Sequence, residues 1–215
     1  MITLPIIIKE SITIISSRKN ELLPYFLVFF IAELVTRFQV LYLSPQQSLF
    51  TVLATLLFVY ISLVGGMMYY YKLKHQDVAF KKSFFAVQPM LLTIFIATLL
   101  LVLGIAFGLL LLVIPGLILI AGWSIVFPII LFEKKGIFEA CKESMKRTKG
   151  SRYPILFNFF FFIFLSILAN LPFGAKVETF FSALVLSFLV AGVTLYYNTS
   201  TYLIYTKLSK NSESV

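Results

Sequence analysis

From Ala86 to Phe132 the chain runs without a charged residue. A bilayer core takes roughly 20 apolar residues per helix, so this run is too long for one crossing and suits two. Pro115-Gly116 lies inside it and is the obvious local breaker. Further apolar stretches, separated by basic clusters, carry the pattern toward both ends. Together they predict an all-α polytopic membrane bundle, a single integral membrane domain over residues 1–215. Six spans are expected, at about 22–42, 49–71, 87–107, 111–132, 154–171 and 177–205. Between the third and fourth, either the chain turns at Pro115-Gly116, or it turns near Gly104–Gly108 and Pro115 kinks the fourth helix.

The polar positions are as ordered as the apolar ones. Ile8, Ile12 and Ile15 recur at helical spacing before Arg18-Lys19. Phe80 and Phe84 flank Lys81-Lys82, behind Asp77 as a turn cap. Ile137, Cys141 and Met145 form a stripe, with Lys142, Lys146, Arg147 and Lys149 elsewhere on the wheel. Glu143 and Arg147, four apart, favour a helix there. Each segment reads as a basic amphipathic helix lying at the membrane surface. Each is followed by a proline, Pro24, Pro89 or Pro154, placed to start the next span. Three units of a surface helix plus a hairpin, about 1–72, 73–133 and 134–207, would explain the pattern. So would any polytopic chain with an even number of spans.

Composition agrees: 60% of residues are hydrophobic and 13% charged, the balance of a membrane protein. The net charge of +9 would suggest nucleic acid in a soluble protein, but here the charge lies between apolar spans. Of the 18 Lys and Arg residues, 16 fall on one side of the six-span arrangement. Lys176 falls on the other and Arg37 lies within a span. The positive-inside rule then places both termini in the cytoplasm. The outer connections Ser44-Pro45-Gln46-Gln47 and Pro172–Lys176 are short. No cleavable signal peptide is expected, because no small-residue cleavage pattern follows the first span.

Candidate chemistry is sparse. Glu33 and Arg37, one turn apart in the first span, are either a polar site or relay, or a self-neutralising pair near the outer interface. Gly104 and Gly108 form a small-residue pair suited to close helix packing, within the bundle or in a dimer. Gly65-Gly66 and Gly192 read the same way. Asn158, Asn170, Asn198 and Gln88 could line a path or cross-link helices. His75 has no second ligand nearby for a metal, and Cys141 is the only cysteine. No nucleotide, hydrolase or zinc-protease motif occurs, and no paired carboxylates lie in a span. The expectation is a non-enzyme without cofactor or metal. Lys142, Lys146, Arg147 and Lys149 are the candidate contacts to anionic lipid.

Ile114-Pro115-Gly116-Leu117, Phe127-Pro128, the run Glu133–Ala140 and Ser144–Thr148 together resemble the YciC family of bacterial inner-membrane proteins. That family carries a V-P-G-I turn, an A-P before the helix end and a D-K-x-G-I-F-x-x-x-x-S-M-R-x-T loop. A similar pattern occurs in the membrane domain of some glycerophosphodiester phosphodiesterases, whose catalytic barrel has no counterpart here. The first outer loop is shorter than in the enterobacterial member of the family. The resemblance implies a compact helical inner-membrane protein with a role in the envelope, and no catalytic residues to carry over. The functional expectation is lipid or membrane-partner binding in envelope or lipid homeostasis. A small transporter or permease subunit is the alternative.

Overall fold

The computed structural model describes residues 3–42, 48–171 and 180–213; among these every regular element is helical. The two outer connections named above, with Lys176, lie outside the described residues. The helices are α1 (Leu4–Ser17), α2 (Lys19–Tyr42), α3 (Ser48–Lys74), α4 (Phe80–Val87), α5 (Leu91–Leu111), α6 (Val113–Gly122), α7 (Val126–Glu133), α8 (Ile137–Thr148), α9 (Arg152–Asn170) and α10 (Phe180–Glu213). Four stretches among the described residues are long and apolar enough to cross a membrane: Phe80–Leu111, Val113–Glu133, Arg152–Asn170 and Phe180–Lys210. α2 and α3 are also long, at 24 and 27 residues.

The prolines divide. Pro154 sits in the first turn of α9, where its missing N–H costs nothing. Pro89 lies in a 3-10 turn, Gln88–Met90, that joins α4 to α5. Pro24 is inside α2, because that helix begins earlier than expected, at Lys19.

The turn between α5 and α6 falls at neither of the two expected places. One extended residue, Leu112 (φ −160°, ψ 138°), redirects the chain. Its N–H donates to the Gly108 carbonyl at 3.2 Å, and its carbonyl accepts from the Gly116 N–H at 3.4 Å. A one-residue connection held at both sides strands few backbone groups, which an apolar surrounding requires. The tip is apolar and outward, with Leu110 83% and Ile114 70% exposed. Pro115 lies in the first turn of α6 and causes no kink there. Behind the tip the two helices nearly touch. A Cβ on Gly108 would stand 3.1 Å from the Gly116 Cα, and one on Gly116 only 2.8 Å from the Leu109 nitrogen. A Cβ on Gly104 would lie 2.6 Å from the Trp123 ring. These glycines pack one hairpin. Gly65 meets Val28 of α2 in the same manner, whereas Gly192 has open space around it.

α5 and α9 bury little of their apolar surface and present Leu92, Phe107, Phe157 and Phe164 outward. A contiguous apolar exterior of this kind suits contact with lipid. α3, α7 and α10 supply the centre, through Met68, Tyr69, Ile129, Ile130, Leu195 and Ile204. Polar cross-links tie these helices together. The Tyr69 and Thr199 hydroxyls lie 2.6 Å apart. Asn158 donates to Ser200 at 2.9 Å and accepts from Tyr196 at 3.1 Å, which joins α9 to α10. The short helices each rest on a long or central one: α1 on α10, α4 on α3 and α8 on α7.

Candidate functional site

The chain is broken at Trp123-Ser124-Ile125, between α6 and α7. The Val126 N–H donates to the Trp123 carbonyl, one residue short of its regular helical partner Gly122. The Gly122 carbonyl is thereby freed, and α8 supplies its donors. Ser144 Oγ donates to it at 2.6 Å and Thr148 Oγ1 reaches it at 3.4 Å. The helix approaches this closely because Gly122 lacks a side chain; a Cβ there would sit on the Met145 sulfur.

α8 therefore faces the bundle with Ala140, Ser144 and Thr148, all fully buried. The facing of the stripe differs from expectation: Ile137 and Cys141 are half-buried against the protein core. The same rotation occurs in the other two short helices. α1 buries Ile7 and Ser11 and leaves Ile12 exposed; α4 buries Ser83 and Val87 and leaves Phe80 at the edge, 39% exposed with its ring against Tyr25. Each short helix thus turns a serine inward. The three serines occupy one local pattern: Lys9-Glu10-Ser11, Lys81-Lys82-Ser83 and Lys142-Glu143-Ser144. The first residue of each triplet is exposed and the last fully buried. That recurrence is visible in the sequence and is the signal the apolar stripes obscured.

A clamp of charges fixes the far side of α8. Arg147 binds Glu133 through Nη1 to Oε1 at 2.6 Å and Nη2 to Oε2 at 3.0 Å. Its Nε donates to Glu143 at 2.7 Å, and Nη1 also reaches Ser209 of α10 at 3.1 Å. Lys135 adds a 3.1 Å ion pair to Glu133, and the Tyr205 hydroxyl donates to the same carboxylate at 3.2 Å. The turn before α8 is equally fixed, by Lys134 in the left-handed region at φ 54°. Hydrogen bonding to Arg147 holds the Glu143 carboxyl below its ordinary range, against a smaller opposing effect of burial. Burial pushes the Cys141 thiol up.

The four basic candidates on α8 thus separate. Arg147 is spent inside the protein. Lys142, Lys146 and Lys149 are exposed and enter none of the ion pairs among the described residues. Spaced at i, i+4 and i+7, they share one face.

The candidates in α2 also separate. Glu33 and Arg37 make no contact ion pair among the described residues, although the Arg37 charge still acts on the Glu33 carboxylate. Arg37 Nη2 turns to α9 and donates to the Asn170 side-chain carbonyl at 3.3 Å, while its Nε is buried without a partner. A cross-helix amide has replaced the carboxylate one turn back. Asn170, at the end of its span, is the link that hydropathy could not single out.

A cavity of about 460 Å³ lies between α5, the α6–α7 break, α9 and α10. Leu101, Ile105, Trp123 and Phe127 make it mainly apolar, and Tyr70, Tyr197 and Thr201 give it a few hydroxyls. None of Asn158, Gln88 or Glu33 lines it. In comparisons with known proteins, no family model, no curated protein and no solved structure matches the chain.

Proposed function

We propose that the chain is a non-enzymatic inner-membrane protein that binds anionic lipid, or a membrane partner, through its basic cytoplasmic face, and so supports envelope or lipid homeostasis. The observation that carries this reading is the split among the α8 cations. A helix seated by Ser144, Thr148 and Arg147 holds Lys142, Lys146 and Lys149 outward in one unpaired stripe. Each such cation near an anionic surface contributes on the order of 1 kcal/mol.

In this reading the six expected crossings are kept except at the α5–α6 turn, because Ile114, two residues past it, lines one crevice with Lys149 and Arg152 and cannot lie a ~30 Å core away from them. α2 and α3 form the first hairpin, and both termini are cytoplasmic. At about 1.5 Å per residue both helices exceed a ~30 Å hydrocarbon core. The packing order favours three related units. α1 rests on the last helix of the third unit, α4 on the last helix of the first, and α8 on the last segment of the second. Such cyclic order is what three copies around an axis would produce. The likeness of residues 115–148 to the YciC family belongs to the same proposal.

The transporter alternative needs a polar path. What weighs against it is that Asn158 is buried and hydrogen-bonded to Ser200 and Tyr196, and that the 460 Å³ cavity is mainly apolar. The test is the triple substitution of Lys142, Lys146 and Lys149 by Gln in reconstituted protein. Retention of phosphatidylglycerol or cardiolipin through detergent extraction should fall, with the fold intact. Unchanged retention in a correctly oriented variant would leave this charge with a role in topology alone.

A further inference from the structure

Beside the turn from α8 to α9 lies a crevice of about 480 Å³. Ile114, Leu117 and Ile118 of α6 form one wall; Lys149, Arg152 and Tyr153 form the other. It carries two cations and no acidic lining residue. Neither cation enters an ion pair among the described residues. The Arg152 Nε is buried and has no hydrogen-bond partner. That part of the guanidinium's hydrogen-bonding capacity is therefore unspent within the protein. α9 also starts at Arg152, which puts the positive end of a 19-residue helix at the same turn.

The two walls ask for different chemistry. The two unpaired cations call for an anionic oxygen acceptor, and guanidinium groups match phosphate well. The α6 wall calls for apolar chain. We infer that this crevice holds the phosphate of one anionic phospholipid, with Arg152 and Lys149 on the headgroup and an acyl chain along Ile114, Leu117 and Ile118. Free phosphate would satisfy the cations and leave the apolar wall uncovered. The inference rests on the lipid-binding reading above and narrows it from a charged face to one site with a stoichiometry.

Native mass spectrometry of the full chain, reconstituted in phosphatidylcholine doped with phosphatidylglycerol, tests it. One phosphatidylglycerol should stay bound as bulk lipid is stripped. Arg152→Gln should weaken its retention about tenfold, the scale of one lost charge-assisted hydrogen bond. Leu117→Trp, which fills the apolar wall without touching a charge, should also displace it. The Lys142→Gln/Lys146→Gln double variant should keep it. Retention of the bound lipid in both Arg152→Gln and Leu117→Trp overturns the site. So does its displacement by millimolar inorganic phosphate, which would make the occupant a free anion. If the Lys142→Gln/Lys146→Gln variant loses general phosphatidylglycerol enrichment while Arg152→Gln leaves the single lipid in place, the crevice fails and the basic-face reading stands. If Arg152→Gln loses the single lipid while the double lysine variant keeps its general enrichment, the crevice stands and the face fails.

Discussion

Arg147 on α8 holds Glu133 at the end of α7 by two parallel contacts, at 2.6 and 3.0 Å. The fork matches the carboxylate edge on, a geometry that lysine cannot reproduce. The same guanidinium serves Glu143 and Ser209, so one side chain ties α7, α8 and α10. Its side chain is only 11% exposed, and removing it leaves the Glu133 carboxylate to Lys135 and Tyr205 alone. Arg147→Ala should cost about 1–3 kcal/mol, read as a lowered unfolding midpoint in detergent. Arg147→Lys should recover only part of the loss, because it keeps the charge without the fork.

Acid should weaken the same clamp. The Glu143 carboxyl lies below its unfolded value because Arg147 hydrogen-bonds its charged form. A group whose folded pKa is depressed stabilises fully above its unfolded pKa, about 4.3 for Glu. That contribution disappears as pH falls through the lower folded value. The stability gap between the native chain and Glu143→Gln should therefore be largest near neutral pH and close in acid. Cys141 offers a local reporter on α8. Its thiol is half-buried and pushed up by burial, so alkylation at neutral pH should be slow and should accelerate in Arg147→Ala.

The close seats of α8 and α6 differ in what stands opposite the glycine. A Cβ on Gly122 meets the sulfur of Met145, the far end of a flexible side chain. A Cβ on Gly116 meets the Leu109 backbone nitrogen at 2.8 Å as well as its side chain. Gly122→Ala should destabilise by about 1–3 kcal/mol and be largely rescued by Met145→Ala. Gly116→Ala should resist rescue by Leu109→Ala, because the backbone remains in the way. Thermal unfolding of the two double variants decides it.

The helices themselves were legible, since long uncharged runs mark them and basic clusters punctuate them. Which way a short helix faces was not. In water the apolar face of a helix turns inward, and Ile12 or Phe80 would be the natural guess. When the outer surface is apolar as well, hydropathy no longer distinguishes inside from out. Close approach decides instead, and it selects Ser11, Ser83 and Ser144. The α6–α7 break had a local signal in Gly122 before it and Pro128 after it, since Pro128 has no N–H for the Ser124 carbonyl one turn back. What the sequence does not show is the partner, Ser144 of α8, which donates to the Gly122 carbonyl across 22 residues of chain. Likewise Glu143–Arg147 was readable at i, i+4, while the stronger grip on Glu133 is tertiary.

The sidedness of the C-terminus, the segment 133–150 and the first outer connection is tested by topology reporters. A fusion after Lys210, or within the segment 133–150, should behave as cytoplasmic, and one at Gln46 as external. The basis is the sidedness of Lys and Arg. A periplasmic signal from 133–150 would refute the reading. The clamp sharpens the choice of site, because a fusion that splits Glu133 from Arg147 would unseat α8; within 133–150 the junction therefore belongs after Arg147.

Arg37 and Asn170 supply the last prediction. If Arg37 were neutralised by Glu33, Arg37→Ala would strand a carboxylate, and adding Glu33→Ala would recover the loss. The observed geometry predicts otherwise, since Arg37 donates to Asn170 at 3.3 Å and forms no ion pair with Glu33. Arg37→Ala and Asn170→Ala should each destabilise, and the double variant should cost less than their sum, with a coupling of about 0.5–3 kcal/mol. Glu33→Ala added to Arg37→Ala should recover little. The double-mutant cycle read by thermal unfolding separates the two pairings. Coupling of Arg37 to Glu33 and not to Asn170 would restore the carboxylate pair and remove the link between α2 and α9.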